Sequence, residues 1–396
     1  MINIGVIGYG YWGPNVIRNM LKVAGCQVVA VADKRTDRLE AAKCLNPGMK
    51  VTTSARELVE SDYIDGIVIA TPISTHFELA KACISQGKHV LVEKPMTTTV
   101  ADARELIHLA QQMGRVLMVD HTFIYSGAVR KLRDVIDSGE LGEIYYYDSV
   151  RLNLGLFQPD VNVLWDLAPH DFSLLTYLLN KKPIHVSAQG SSPVRWNGWK
   201  QESIAYVTVE LESGVLAHFH LNWLSPVKLR RTLIGGSRRM VIYDHLDSDN
   251  QVKIFDKGVE ILEDQERYKA LVQYRTGDLL VPKVDQTEAL ETACRHFIHC
   301  IQTGEKPITD GYAGLRVVEL LQTAERSIKE ARSIKEAKED LKYGNSTNSL
   351  HSAKRETRQG CEDLQVCQPV RLRDWRSQQD WSIRRSTKRR KDRSGL

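Results

Sequence analysis

The feature that most constrains this chain is a glycine-rich turn between its first apolar run and its first helical pattern. Residues 8–13 read Gly-Tyr-Gly-Tyr-Trp-Gly, and Pro14 follows at a position typical of the first turn of a helix. Glycines at this spacing allow a tight turn, a close approach of the backbone to a ligand, and close packing of helix on strand. Asp33 ends a second apolar run 20 residues beyond Gly13, where a carboxylate can accept hydrogen bonds from a ribose diol. Strand, turn, helix and acid in register predict a dinucleotide-binding site.

The same acid bears on which dinucleotide is bound. Asp33 repels a ribose 2′-phosphate, which predicts NAD as the cofactor. Lys34 and Arg35 follow immediately and could accept such a phosphate, so NADP stays open as an alternative. Cofactor contacts from this part of the chain are predicted for Gly8, Gly10, Tyr11, Trp12, Gly13, Asp33 and Lys34.

Apolar strand-like runs alternate with helical patterns over residues 1–125. The runs are Ile2–Gly8, Val28–Asp33, Ile64–Ala70, His89–Val92 and Val116–Val119, with helical patterns such as Ser74–Gln86 and Thr99–Met113 between them. Continuous apolar strands separated by helices predict a parallel sheet covered on both faces, a doubly wound Rossmann-type domain of the α/β class. Such a sheet binds ligands beyond the carboxyl ends of its strands.

The pattern changes over residues 126–335, which are predicted to form a second domain. Long strand-like segments with glycine-containing turns dominate, and Glu212-Ser213-Gly214 is typical of a hairpin. This predicts an α+β domain with a large, mostly antiparallel open sheet. The predicted strands are Glu143–Leu154, Ser203–Glu212, Val215–Trp223, Leu229–Ile234 and Arg239–Tyr243, and the predicted helices are Ala128–Ile136, Asp171–Leu179, Thr287–Gln302 and Gly311–Lys329.

Charge is distributed unevenly along the chain. Residues 343–396 contain 13 Lys and Arg against 6 Asp and Glu, a net charge of +7, so the preceding residues carry −2 of the total +5. The nearly neutral body predicts no nucleic-acid partner. The polar segment 344–396 cannot bury enough apolar surface to offset chain entropy, and we expect it to be a disordered basic tail. Its Lys388–Lys391 cluster leaves contact with an anionic partner open as a weaker alternative.

Cysteine use and hydropathy bear on the cellular compartment. The seven cysteines are scattered and form no Cys-x-x-Cys pair, which argues against a disulfide framework or a cysteine metal cluster. No apolar run approaches the roughly 18 residues of a membrane span, and no secretory signal pattern precedes the first strand. We therefore expect a cytoplasmic protein with no membrane partner.

Two groups of residues point to chemistry on an alcohol. Lys94 follows the run His89–Val92, at the sheet edge where a nicotinamide should lie, and an ammonium group there can stabilise negative charge on a substrate oxygen. Asp166 and His170 are four residues apart, so a helical turn would place both on one face. A histidine near neutral pKa can take a hydroxyl proton, and Asp166 could orient that imidazole or bind a neighbouring hydroxyl. Lys94, Asp166 and His170 are the predicted catalytic residues, and no metal is predicted.

Taken together, these motifs resemble the glucose–fructose oxidoreductase, inositol dehydrogenase and rhizopine-catabolism family, Gfo/Idh/MocA. The resemblance covers about residues 1–335 and rests on Gly8–Gly13, Asp33, Ala70-Thr71-Pro72, His76, Glu93-Lys94-Pro95, and Asp166 with His170. It implies a Rossmann domain plus an α/β domain whose open sheet forms the interface of a homodimer or homotetramer. It also implies that Ala70, Thr71 and Pro72 line the nicotinamide and that Lys94 works with Asp166 and His170. His76 and Glu93 are further predicted cofactor contacts, and His121 is predicted where a polar side chain could meet the nicotinamide amide.

The resemblance implies hydride transfer to or from a carbinol carbon of a sugar, nucleotide-linked or phosphorylated. Two alternatives stay open: an NAD-dependent glycosidase that oxidises, eliminates and reduces back, and a non-catalytic NAD-binding protein. The family commonly has glycines before the aspartate, whereas this chain has Val161–Trp165, so the pocket should be narrower here. The predicted substrate contacts are Tyr125, Arg151, Asn153 and Trp165, with Arg151 indicating an anionic group on the substrate.

Overall fold

The first sheet is parallel and places the glycine-rich turn at its carboxyl edge. The computed structural model describes residues 1–155, 157, 161–194, 201–262 and 271–347. Its six-stranded sheet has the order β3-β2-β1-β4-β5-β6, and every neighbouring pair is parallel. The strands are β1 Ile2–Ile7, β2 Cys26–Ala32, β3 Lys50–Thr52, β4 Gly66–Ile69, β5 His89–Glu93 and β6 Leu117–Asp120. The predicted Rossmann-type domain is confirmed; the sequence reading missed only the short, polar β3.

Helices connect these strands and bury their apolar faces against the sheet. They are α1 Gly13–Met20, α2 Thr36–Leu45, α3 Ala55–Val59, α4 His76–Ser85 and α5 Val100–Gln112, and α6 Gly127–Asp137 follows the sheet. α1 begins with Pro14 in its first turn, where the missing proline N–H costs no helical hydrogen bond. α5 begins at Thr99, whose side chain accepts the Asp102 N–H.

The second sheet has eight strands in the order β14-β13-β12-β11-β7-β10-β9-β8. Only β7 and β10 run parallel, so the prediction of a large, mostly antiparallel sheet is confirmed. The strands are β7 Ile144–Leu154, β8 Pro183–Ser191, β9 Ile204–Leu211, β10 Leu216–Asn222, β11 Leu224–Gly236, β12 Met240–Asp244, β13 Val252–Leu262 and β14 Leu271–Leu280. The predicted hairpin joins β9 to β10, with Gly214 at a φ of +78°. β8, β13 and β14 were not predicted.

A long buried helix, α7, packs on this sheet and spans Val163–Leu179. It begins eight residues before the predicted Asp171, because Asn162 caps it by accepting the Trp165 N–H. Pro169 lies inside the helix, and burial of 14 of its 17 residues offsets the lost backbone hydrogen bond. Asp166 and His170 therefore both lie on α7.

Two further helices complete the described chain. They are α8 Ala289–Thr303 and α9 Gly311–Thr347. Residues 1–338 form one compact unit that contains both sheets. α9 continues well past the predicted end at Lys329, into the first residues of the segment assigned to the tail. The rest of that segment, 348–396, lies outside the described residues.

Candidate active site

The three glycines of the first turn differ in what a side chain would contact at each position. Gly8 has a φ of +100°, and a Cβ there would lie 2.4 Å from the Ala70 carbonyl oxygen. A Cβ on Gly13 would lie 2.4 Å from the Gly8 carbonyl oxygen, which would separate the helix from the turn. A Cβ on Gly10 would meet nothing within 4 Å, so the protein does not require glycine there. Gly10 instead leaves open the space that a pyrophosphate needs, and this turn fits a dinucleotide.

Asp33 lies at the end of β2, with its carboxylate facing the same turn. Its Oδ2 accepts the Tyr9 N–H at 2.7 Å, and its Oδ1 accepts the Arg35 N–H at 2.9 Å. Burial raises the pKa of Asp33, but these backbone hydrogen bonds and the Arg35 side chain outweigh it and hold the pKa below its ordinary value. The carboxylate is therefore charged and keeps lone pairs free for ribose hydroxyls.

A cleft of about 1030 Å³ runs along the carboxyl edge of the parallel sheet to the start of α7. It brings together most of the predicted cofactor and catalytic residues. Those that line it are Gly8, Gly10, Tyr11, Trp12, Asp33, Lys34, Ala70, Thr71, Pro72, His76, Glu93, Lys94, Trp165 and Asp166. Gly13 does not line the cleft and instead allows α1 to pack closely against the turn.

Lys94 directly follows β5 and is held in place by Asp166 of α7. Its Nζ donates to the Asp166 backbone oxygen at 2.9 Å and lies 3.7 Å from the Asp166 carboxylate. The other carboxylate oxygen of Asp166 accepts the Trp223 indole N–H at 3.1 Å. Asp166 thus positions Lys94 and, within the described residues, makes no hydrogen bond to His170. Trp223 is not among the predicted site residues, because the sequence does not show that an indole 57 residues along the chain reaches Asp166.

His170 lies one helical turn beyond Asp166 and is in electrostatic reach of Lys94. Its ring packs edge-on against Phe123, with centroids 4.7 Å apart. Burial, followed by the positive charges of Lys94 and Arg151, holds the pKa of His170 well below its ordinary value. Nδ1 is buried without a hydrogen-bond partner in the described part of the chain. The imidazole is therefore neutral at physiological pH, as a proton acceptor must be.

A buried carboxyl pair lies under Lys94. Glu93 and Asp120 are neighbours in the parallel register of β5 and β6, and the Glu93 carboxyl group is buried beside the charge of Asp120. Burial, followed by the charge of Asp120, holds the pKa of Glu93 well above its ordinary value. Asp120 accepts the Trp12 indole N–H at 3.2 Å and the Thr122 hydroxyl at 2.7 Å. The pair ties the glycine-rich turn to the strand end below Lys94.

Two predicted histidines are buried in this region. The ring nitrogens of His76 lie 2.9 Å from the Pro95 oxygen and 2.8 Å from the Thr71 oxygen, so His76 joins the segments that follow β4 and β5. His121 does not line the cleft, and neither ring nitrogen has a hydrogen-bond partner among the described residues. Burial, followed by the charge of Lys94, lowers the pKa of His121 to about 3. His121 is thus a neutral group behind the cleft wall.

Two predicted substrate contacts, Arg151 and Tyr125, have polar atoms that are paired inside the protein. Arg151 is buried and forms two hydrogen bonds to Asp171, at 2.8 and 2.9 Å. Tyr125 is also buried, and its hydroxyl pairs with the Thr309 hydroxyl at 2.9 Å. Asn153 is half-buried on β7 and does not line the cleft, whereas Trp165 lines it as predicted.

The described residues contain neither a metal-binding cluster nor a membrane-spanning helix. No group of three or more His, Cys, Asp and Glu side chains there is arranged to hold a metal ion. No helix in the same residues has the length and apolar character that a bilayer crossing requires.

Two protein-family models match this chain. A family model described as "Oxidoreductase family, NAD-binding Rossmann fold" matches residues 2–121, and the GFO/IDH/MocA C-terminal domain model matches residues 129–242. The chain belongs to the Gfo/Idh/MocA family. The resemblance inferred from the motifs is confirmed, and so are the fold class, an oxidoreductase assignment and NAD as the cofactor of this Gfo/Idh/MocA protein.

Individual Gfo/Idh/MocA relatives are similar over different lengths. The oxidoreductase YdgJ of Escherichia coli, itself uncharacterized, is 36% identical over 43% of this chain and 51% of that protein. Myo-inositol 2-dehydrogenase of Thermotoga maritima is 26% identical over 84% of this chain and 98% of that protein. The structure of UDP-N-acetylglucosamine 3-dehydrogenase from Acidithiobacillus ferrooxidans superposes with a TM-score of 0.69, at 25% identity, over 83% of this chain and 98% of that one.

Proposed function

We propose that this protein transfers a hydride between NAD and a carbinol carbon of a sugar. The observation that carries the proposal is the Lys94 ammonium group, held by Asp166 at the end of the dinucleotide cleft and in electrostatic reach of a neutral His170. Nicotinamide, when bound, supplies the hydride acceptor or donor. The named activities of the relatives, on myo-inositol and on a UDP-linked sugar, support a polyhydroxylated substrate.

Lys94 would act on the substrate oxygen. An ammonium group has three N–H donors, and Lys94 uses one on the Asp166 carbonyl oxygen. A remaining N–H can bind the hydroxyl that becomes a carbonyl and stabilise negative charge that develops on it. The fixed position of the ammonium group matters, because a donor that is already oriented needs no rearrangement during the reaction.

His170 would take or return the hydroxyl proton. Its Nδ1 is the buried nitrogen, which leaves Nε2 to meet the substrate. During oxidation the substrate O–H bond breaks and its proton passes to Nε2, while the C–H electron pair leaves as hydride. During reduction the same proton returns to the oxygen. Phe123 packs on the ring and limits its rotation.

Substitution of Lys94 and His170 tests this function. Lys94→Met and His170→Asn should each lower sugar-dependent NADH formation by about 10²- to 10⁴-fold, with NADH binding unchanged. Lys81→Met is a matched control, since Lys81 is exposed on α4 and paired with Glu105. Normal turnover in either active-site variant would refute the assignment. Sugar cleavage without net NADH formation would instead indicate the recycling glycosidase.

We also propose that the outer face of the second sheet joins copies of this chain. On the face opposite α7, Tyr206 stacks on His220 with centroids 4.4 Å apart, and Leu216 is 52% exposed. Light scattering should then give a homodimer or homotetramer that Leu216→Asp weakens. A cytoplasmic location fits the five described cysteines, which are all free.

A further inference from the structure

The second sheet places two arginines directly opposite each other next to His170. Arg151 on β7 and Arg230 on β11 are partners in the antiparallel register. Residues in such a pair point to the same face of the sheet with Cβ atoms about 4.5–5.5 Å apart, and like charges there repel each other. A carboxylate is therefore expected beside each guanidinium group.

Among the described residues, a carboxylate pairs with only one of the two arginines. Asp171 binds Arg151 through both of its oxygens. The other nearby carboxylates are also paired, Asp166 with Lys94 and Asp244 with the exposed Arg231. Among the described residues, the Arg230 side chain has no ion pair and no hydrogen-bond acceptor. One positive charge thus remains in excess beside a buried ion pair.

A neighbouring lysine adds to this excess of positive charge, and a neighbouring histidine is affected by it. Lys228 lies two residues before Arg230, is exposed, and has no ion-pair partner in the described part of the chain. His245 follows β12, and its backbone N–H donates to the Arg230 carbonyl oxygen at 2.9 Å. Burial lowers the pKa of His245 to about 4, with further lowering by Arg230, Arg151 and Lys228. Lys228 and Arg230 are thus two neighbouring cations for which the described residues provide no ion-pair partner.

The excess charge lies close to the proposed catalytic histidine. The Phe123 ring contacts His170 on one side and His245 on the other, both with centroids 4.7 Å away. Arg230 is half-buried, so its guanidinium group has lost part of its hydration and remains reachable from solvent. An unpaired cation in such a position costs free energy unless an anion binds to it.

We propose that Arg230, assisted by Lys228, binds an anionic group of the substrate, a carboxylate or a phosphate, while the reacting carbinol lies at Lys94 and His170. The inference rests on the proposed function and defines its substrate class as acidic or phosphorylated sugars. The planar guanidinium group can donate two parallel N–H bonds to either anion. The anion site thus belongs to Arg230, since Asp171 already occupies Arg151.

Binding of inorganic phosphate tests the site without turnover. The full-length protein is first saturated with NADH, which fills the pyrophosphate site, and phosphate is then titrated by calorimetry. Arg230→Gln should weaken phosphate binding by about 10- to 100-fold, and Arg230→Lys should weaken it less, because it keeps the charge. Arg231→Gln removes the same charge from the opposite face of β11 and should leave binding unchanged. Unchanged NADH affinity in each variant shows that the fold is intact.

Phosphate binding that is undetectable in the wild type, or equal in Arg230→Gln and wild type, would overturn the proposal. A second experiment compares glucose, glucuronate and glucose 6-phosphate as substrates and as competitors of phosphate, which separates a carboxylate from a phosphate preference. Competition needs no turnover, so phosphate binding that depends on Arg230 without any sugar oxidation would leave the anion site standing and refute the proposed function. If turnover of a charged sugar depends on Lys94 but is unchanged in Arg230→Gln, the proposed function stands and the anion site is refuted.

Discussion

Removing the charge of Asp171 should destabilise this protein strongly. The Arg151 Nε and Nη2 lie 2.8 and 2.9 Å from the two Asp171 oxygens, and the side chains are only 5% and 3% exposed. Asp171→Asn keeps the size of the side chain and leaves the buried Arg151 charge without a counterion, directly opposite the charge of Arg230. Breaking a buried pair in this way costs about 3–5 kcal/mol, a large part of the roughly 5–15 kcal/mol that stabilises a domain.

Urea unfolding followed by circular dichroism measures this change. Arg231→Gln is the control: its pair with Asp244 is 47% and 15% exposed and should contribute about 1 kcal/mol or less. A double variant, Arg151→Met with Asp171→Leu, should recover most of the stability, since no buried charge is left alone. A loss below about 1 kcal/mol for Asp171→Asn would refute the reasoning. It would mean that water reaches Arg151, which would then be free to bind substrate.

Three further predictions concern the cofactor site and acid stability. Gly10→Ala should leave the melting temperature unchanged and weaken NADH binding in a fluorescence titration, whereas Gly8→Ala should lower the melting temperature, because its Cβ overlaps backbone. Asp33→Ser should raise NADPH affinity relative to NADH, because it removes a negative charge and frees Arg35; an unchanged ratio would show that Asp33 does not select the cofactor. His121 stays neutral in the fold down to about pH 3, so its contribution to stability is complete above its unfolded pKa and is lost as pH falls from about 6.5 towards 3. Between pH 7 and pH 5, the free energy of unfolding should therefore fall by about 2 kcal/mol less in His121→Phe than in wild type, as measured by urea unfolding.

The cofactor half of the site could be predicted from sequence because its requirements are local. Gly13 is explained by a contact with Gly8 in the adjoining turn, and the positive φ of Gly8 is a local backbone requirement, although a Cβ on Gly8 would also meet the distant Ala70 carbonyl oxygen. Asp33 follows from the length of one strand–helix–strand unit. The order of strands and helices could be predicted for the same reason, since buried parallel strands are continuous apolar runs. β3 was missed because it is short, polar and at a sheet edge.

The substrate half could be predicted only in part. Lys94, Asp166 and Trp165 were expected at the cleft and line it. Arg151 looked like a free cation, because nothing in its neighbourhood along the chain shows that Asp171 binds it. Tyr125 looked like a pocket residue, yet its partner Thr309 is 184 residues away. A sequence does not show this kind of pairing, because the partner of the polar side chain lies on another element.

The sequence by itself determined the class of fold, the dinucleotide turn and the identity of the lysine, aspartate and histidine that carry the proposed chemistry. These features can be predicted from the sequence, because backbone conformation and the spacing of buried residues depend on residues that are close together in the chain. Only the tertiary structure decided which charges are neutralised. Arg151 is paired and Arg230 has no ion-pair partner among the residues that the structure describes, although they are direct neighbours in the sheet. The reason is that the two carboxylates of α7 pair with other cations, Asp171 with Arg151 and Asp166 with Lys94, and electrostatic pairing depends on distance in space.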